Sequence, residues 1–272
     1  MDNDAPIGIF DSGLGGLTVT RAVHEKLPGE HLLYLGDTAR VPYGTRSPET
    51  ILRYARSCAR HLTRRGIKLR VVACNTVSAV ALDMLRVELD IPVLGVIEPG
   101  ARAAVRASRS GRIGVIATGG TVLSGAYPRA VAALDSRAEV FARPAPLLVP
   151  LAEEGWTVGE VPGLVIDRYL GELARDHVDT VVLGCTHYPL FRPLLDARTR
   201  ALCGEETRVV DSAEATAREL SELLAERCLL RAGTELGELS MYVTDMPGRF
   251  SEVAGRFLGR PIEGLKVDAV DL

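Results

Sequence analysis

Short apolar runs, rich in β-branched residues, recur along this chain with stretches of helical spacing between them. They are Ile7 to Phe10, His31 to Leu35, Leu69 to Ala73, Val93 to Ile97, Ile113 to Ala117, Thr180 to Leu183 and Arg208 to Val210. Strands this apolar need cover on both faces, and helices alternating with them supply it. The pattern predicts βαβ units and an α/β fold of mostly parallel sheet flanked by helices. At 272 residues the chain exceeds one typical domain of ~100 to 200 residues, so two lobes are expected.

The clearest helix follows Ser47-Pro48-Glu49. Ser47 suits the N-cap and Pro48 the first helical position. Arg64-Arg65 favour the negative end of the helix dipole, and Gly66 closes it. Ile51, Tyr54, Ala55, Cys58, Ala59 and Leu62 share one face, which makes Cys58 a core residue. The basic stretch from Arg60 to Arg70 reads as a solvated helix face.

An internal repeat is visible. Ile7-Gly8-Ile9-Phe10-Asp11-Ser12-Gly13 resembles Ile113-Gly114-Val115-Ile116-Ala117-Thr118-Gly119, and two cysteine motifs recur at nearly the same offset. Each pair keeps a strand followed by polar residues, so a duplicated α/β lobe is expected, with two similar lobes related by pseudo-two-fold symmetry and the active site between them. Lobe one is expected to span 1–97 plus 210–272, and lobe two 98–209. Glu98-Pro99-Gly100 reads as the hinge, because Pro99 biases Glu98 away from helix and Gly100 frees the backbone.

Composition narrows the function classes. The formal net charge is −3 and the pI about 6.0, which leaves no bulk attraction for nucleic acid or an anionic membrane surface. No apolar run approaches the ~20 residues of a bilayer span, and the acidic start Met1-Asp2-Asn3-Asp4 is unlike a signal peptide, so a cytoplasmic location is expected. The 5 cysteines are widely separated and include no C-x-x-C, so free thiols are expected rather than a disulfide framework or a metal site.

The chemistry is concentrated in Val71-Val72-Ala73-Cys74-Asn75-Thr76 and Val181-Val182-Leu183-Gly184-Cys185-Thr186-His187. In parallel sheets ligands sit beyond the carboxyl ends of strands. Asp11-Ser12, Cys74-Asn75-Thr76, Thr118-Gly119-Gly120-Thr121 and Cys185-Thr186-His187 all fall there. Their hydroxyls and amides, with loop N–H groups, make a neutral, donor-rich pocket suited to a small carboxylate ligand. Tyr43-Gly44 can close over it. A thiol at a strand end feeding a helix N-terminus can ionise and act as nucleophile or base. One thiol would suggest covalent catalysis. Two matched thiols flanking one carbon suggest instead that one removes a proton while the other donates one, inverting the centre. Taken alone, Asp11 is equally an Asx turn or cap and His187 a satisfied loop histidine. His24, His31, His61 and His177 lie without polar partners nearby in sequence.

Two other readings stand beside this one. Gly13-Leu14-Gly15-Gly16-Leu17-Thr18 follows a strand, but Thr18 occupies the last glycine position of a dinucleotide fingerprint and no Walker lysine follows. A redox pair of Cys74 and Cys185 would need Cα atoms within ~7 Å.

Taken with Gly8-Ile9-Phe10-Asp11-Ser12-Gly13-Leu14-Gly15-Gly16, Leu35-Gly36-Asp37-Thr38-Ala39-Arg40-Val41-Pro42-Tyr43-Gly44 and Leu183-Gly184-Cys185-Thr186-His187-Tyr188-Pro189, the chain resembles the glutamate racemases of the aspartate/glutamate racemase family. The resemblance implies a cofactor-independent isomerase, without pyridoxal phosphate or metal, that interconverts L- and D-glutamate and supplies D-glutamate for bacterial peptidoglycan. It implies that Cys74 deprotonates D-glutamate and Cys185 L-glutamate, with Asp11 and His187 assisting, one on each side. Substrate contacts would fall on Asp11, Ser12, Tyr43, Gly44, Asn75, Thr76, Thr186 and His187, with Thr118 and Thr121 on a carboxylate and Glu153 as a further carboxylate. The family more often has Gly-Thr where this chain reads Ala117-Thr118. A homodimer is implied as well. With no longer leader before Ile7, regulation by a precursor metabolite is not expected, and the restraint of DNA gyrase reported for some relatives has no signal in this sequence.

Overall fold

The computed structural model describes residues 2–233, 235–259 and 266–272. The strands, in chain order, are β1 (Ile7–Asp11), β2 (Leu32–Gly36), β3 (Leu69–Val72), β4 (Val93–Gly95), β5 (Arg112–Ala117), β6 (Glu139–Pro144), β7 (Thr180–Gly184), β8 (Arg208–Asp211), β9 (Leu239–Val243) and β10 (Val267–Ala269). The helices are α1 (Leu17–Lys26), α2 (Pro48–Thr63), α3 (Asn75–Glu88), α4 (Ile97–Ala107), α5 (Gly119–Leu123), α6 (Ala126–Leu134), α7 (Leu148–Glu153), α8 (Glu160–Arg175), α9 (Arg192–Cys203), α10 (Ser212–Glu226) and α11 (Pro247–Leu258).

The chain divides into two compact units, Met1–Val96 with Thr216–Leu272, and Ile97–Ala215. Among the described residues the first unit carries a sheet of order β10-β9-β2-β1-β3-β4 and the second a sheet of order β6-β5-β7-β8, with every pairing parallel. This is the mostly parallel α/β architecture that the alternation predicts. The order β2-β1-β3-β4 matches β6-β5-β7-β8 strand for strand, so the weak sequence repeat corresponds to a repeated topology.

Both central strands, β1 and β5, carry glycine at the second residue of the repeat. A Cβ on Gly8 would stand 2.7 Å from Ile67 Cδ1, and one on Gly114 2.9 Å from Leu173 Cδ1. An aliphatic side chain fills the Cβ space in both sheets, so a side chain at either position would require Ile67 or Leu173 to shift.

The unit boundary differs from the expected one. β8 pairs with β7, with Leu183 opposite Asp211, so residues 210–215 belong with the second unit and not with lobe one. Nothing local in a strand says which sheet will accept it. The expected hinge is also helical: α4 starts at Ile97 and includes Glu98-Pro99-Gly100. Pro99 is tolerated there because the first turn of a helix has no intrahelical use for its missing N–H.

α2 forms as read. The Ser47 side chain accepts the Thr50 N–H, Pro48 opens the helix, Cys58 is buried, and Gly66 turns the chain at φ +69°. The basic stretch behind it is not all solvated: Lys68 and Arg70 are buried. Arg70 Nη2 donates to the Ala59 carbonyl at 2.6 Å and to Thr63 Oγ1 at 3.3 Å, at the carbonyl end of α2 where a cation is favoured. Burial still lowers the Arg70 pKa to about 10, partly offset by the nearby Cys58. Lys68 Nζ meets Glu30 at 2.5 Å and donates to the Asn3 carbonyl at 2.6 Å. The neighbouring His31 also has partners, accepting the Glu238 N–H at 3.0 Å through Nδ1.

Three strands lie outside the sequence reading: β6, β9 and β10. β6 and β10 are sheet edges with no fully buried residue, so their sequences lack the apolar signature of the inner strands. β9 alternates exposed and buried residues over a short span and is equally indistinct.

Candidate active site

In the first unit, the predicted residues gather at the carboxyl ends of β1 and β3. β1 ends at Asp11, which is fully buried, and its Oδ2 accepts the Gly13 N–H at 2.8 Å in an Asx-type turn. A Cβ on Gly16 would stand 2.4 Å from Asp11 Cβ, so the glycine-rich loop leaves room for this carboxylate. Behind the loop, the buried Tyr34 hydroxyl donates to the Gly13 carbonyl at 2.6 Å. Burial, with Asp11 and Cys74 nearby, pushes the Tyr34 phenol well above its usual range, so it remains a donor.

Cys74 follows β3 and is the N-cap residue of α3, with Asn75 and Thr76 forming the first turn. All three are buried, with Cys74 6 % exposed. Ser12 Oγ donates to Cys74 Sγ at 3.4 Å, tying the two strand-end loops together. The thiol therefore sits at the positive end of a fourteen-residue helix.

Tyr43 differs from the expectation. Its side chain is 1 % exposed, packs in the hydrophobic core of this unit, and gives its hydroxyl to Asp37 Oδ2. Burial, together with the Cys58 and Asp37 charges, raises the phenol far above its usual range. Tyr43 can thus offer a ligand only its backbone, as can Gly44.

The second unit arranges its residues differently. Cys185 directly follows β7 and is 6 % exposed, and the next residues are Thr186 and His187, then a 3-10 turn over Tyr188–Phe191. No long helix starts at this thiol. Instead Cys185 Sγ lies 3.8 Å from His187 Nδ1, and His187 Nε2 lies 3.1 Å from Glu153 Oε1 at the end of α7. Burial disfavours the imidazolium, but the bonds to Cys185 and Glu153 outweigh it and raise the His187 pKa to about 10. Glu153, not the exposed Glu154, makes this contact.

Thr118 and Thr121 meet after β5. Thr118 caps α5 by accepting the Thr121 N–H, and the two hydroxyl oxygens are 3.0 Å apart. Tyr188 donates its hydroxyl to the Ala145 carbonyl at 2.8 Å. Ser212, directly after β8, donates to the Leu183 carbonyl at 3.0 Å, two residues before Cys185. Among the described residues no group of three His, Cys, Asp or Glu is arranged to hold a metal ion.

Chemically, each unit presents one buried strand-end thiol with a polar partner and a set of hydroxyl and N–H donors. Such groups suit proton transfer at a carbon acid whose charge must be held without bulk water.

The profile of the Asp/Glu/Hydantoin racemase family matches residues 7–220. A glutamate racemase from Geobacter metallireducens is 53% identical over 253 residues, covering 93% of this chain and 92% of that one. The crystal structure of glutamate racemase isoform RacE1 from Bacillus anthracis is similar at TM-score 0.92 and 37% identity, covering 99% of this chain and 98% of that chain. The glutamate racemase of Francisella tularensis, crystallised with D-glutamate, is similar at TM-score 0.88 and 34% identity, again covering 99% of this chain and 98% of that one. A profile match across most of the chain and identity above half with a full-length relative lead to one conclusion: this chain belongs to the Asp/Glu/hydantoin racemase family, isomerases that work without pyridoxal phosphate.

Proposed function

We propose that this enzyme interconverts L- and D-glutamate with two thiols as proton carriers. Cys185 as thiolate removes the α-proton of L-glutamate, and the Cys74 thiol delivers a proton to the opposite face of the planar intermediate. The reverse reaction exchanges the roles. The observation that carries this reading is the pairing of one strand-end cysteine per repeated sheet, Cys74 with Ser12 and Cys185 with His187 and Glu153. Each thiol must begin one direction ionised and the other protonated.

The remaining residues serve to bind and to hold charge. Asn75, Thr76, Thr186 and the turn N–H groups would receive the α-amino and carboxylate groups, and the Thr118–Thr121 hydroxyl pair the other carboxylate. Asp11 would assist at Cys74 and His187 at Cys185, because each lies in the same unit as that thiol. The family likeness further supports supply of D-glutamate to bacterial peptidoglycan, a cytoplasmic site of action and a homodimer. No helix among the described residues is long and apolar enough to cross a membrane.

Incubation of the purified enzyme with L-glutamate in deuterated water tests the reaction. Loss of optical rotation with one α-deuterium per product molecule is expected, and a parallel incubation with L-aspartate should be much slower. Unchanged rotation and no α-deuterium with glutamate would overturn the reading.

A further inference from the structure

Asp37 is fully buried and directly follows β2, yet four parts of the first unit converge on it. Arg40 Nε donates to its Oδ1 at 2.9 Å, and Thr244 Oγ1 donates to the same oxygen at 2.9 Å. The Tyr43 hydroxyl donates to Oδ2, and Cys58 Sγ on α2 lies 3.9 Å from that atom. The Asp37 N–H donates to the Asp11 carbonyl at 3.0 Å, which joins this cluster to the end of β1. A buried carboxylate is costly unless it is satisfied this fully, and charge-assisted bonds are the stronger kind.

Thr244 reaches the cluster from the end of β9, 207 positions away in sequence. Besides donating to Asp37, its oxygen accepts the Ala39 N–H at 2.9 Å. Next to it, Thr38 Oγ1 donates to the Asp245 carbonyl at 2.7 Å and accepts the Asp245 N–H at 2.8 Å. The segment from Asp37 to Gly44 contains only a single 3-10 turn, Thr38–Arg40, as regular structure. Its course therefore depends on these side-chain bonds rather than on a sheet ladder. Since the Tyr43 phenol is given to Asp37, Tyr43 and Gly44 can present only backbone atoms to a ligand, and those atoms are located by where the phenol is anchored.

We infer that Asp37 and Thr244 are positioning residues for substrate binding, a buried carboxylate and its β9 clamp that fix the Tyr43-Gly44 backbone against the glutamate. This rests on the proposed racemase activity and on Tyr43-Gly44 contacting the substrate. Neither residue touches the reacting carbon, so their loss acts on binding more than on proton transfer.

The experiment is steady-state racemisation by the full-length enzyme in both directions, with circular dichroism and thermal melting as controls for folding. Thr244→Val removes the hydroxyl and keeps the shape. Its KM for both enantiomers should rise about tenfold, the weight of one hydrogen bond to a charged group, while kcat stays within about twofold. Thr244→Ser restores the donor and should restore KM. Tyr43→Phe should also raise KM, and the double variant should fall short of the product of the single effects, because both bonds end on one carboxylate. If Thr244→Val does not fold, Thr244→Ala and Tyr43→Phe carry the same measurement. Folded variants with wild-type KM, or a fall in kcat with KM unchanged, overturn the inference and leave the racemase reading standing. A wild-type enzyme that fails to racemise glutamate overturns that reading and this inference with it.

Discussion

Cys74 and Cys185 end corresponding strands of two matching sheets, yet the groups around them are unlike. Cys74 caps a long helix and accepts a bond from the neutral Ser12 hydroxyl. Cys185 has no such helix, and His187 backed by Glu153 stands beside it. The repeated topology reproduces the location of a thiol at a strand end. It does not reproduce the means of supporting its charge. On the Cys74 side the thiol sits at a helix N-terminus, whose backbone dipoles do not titrate. On the Cys185 side the support comes from a titratable cation. Two chemically identical bases are thus expected to respond differently to substitution and to pH.

The largest effect should be the same on both sides. Cys74→Ser and Cys185→Ser each remove the acid or base for one face, and racemisation should fall by at least about 10³-fold in either variant, within the usual reach of acid–base catalysis. Circular dichroism should be unchanged. Near-normal turnover by either folded variant would break the two-thiol symmetry.

The next effect should be one-sided. His187→Asn should lower kcat by about 10²-fold, with a larger primary isotope effect for α-deuterated L-glutamate than for D-glutamate, because proton removal at Cys185 becomes the slow step. The pH dependence carries the same signature. The folded His187 pKa is raised to about 10, above the unfolded value, so its contribution to stability is complete below about 6.5 and lost as pH rises through about 10. Melting temperature against pH should therefore decline across that window in the wild type and stay flatter in His187→Asn. Glu153→Gln removes one of the two bonds that raise the pKa, so the decline should be smaller and end at lower pH. An equal isotope effect in both directions would show that His187 serves neither thiol preferentially.

Ser12→Ala should give the smallest change. A 3.4 Å bond from a neutral hydroxyl to sulfur is weak, and the helix N-terminus remains, so a loss of about two- to fivefold in kcat is expected. A loss as large as that of His187→Asn would place the support of Cys74 in Ser12 rather than in α3.

Much of the fold was legible because its inner elements carry local signals. β1, β3, β5 and β7 are mostly apolar, and α2 shows its cap, first-turn proline and closing glycine. β6, β9 and β10 were not legible, because half-exposed edge and near-edge strands need no apolar pattern. Lys68 and Arg70 read as surface cations, and only packing revealed Glu30 as partner to the one and the carbonyl end of α2 as partner to the other.

Periodicity, turn chemistry and motif spacing are properties of neighbours in the chain. They sufficed for a duplicated parallel α/β architecture, for thiols at two strand ends and for the candidate residues beside them. Tertiary structure alone decided that residues 210–215 join the second unit, that His187 faces Cys185, and that Glu153 rather than Glu154 backs it. It also decided that the Tyr43 phenol turns inward to Asp37, which Thr244 reaches from the far end of the chain. The physical reason is that a buried charge takes whatever donors packing brings within about 3 Å, and sequence distance has no part in that choice.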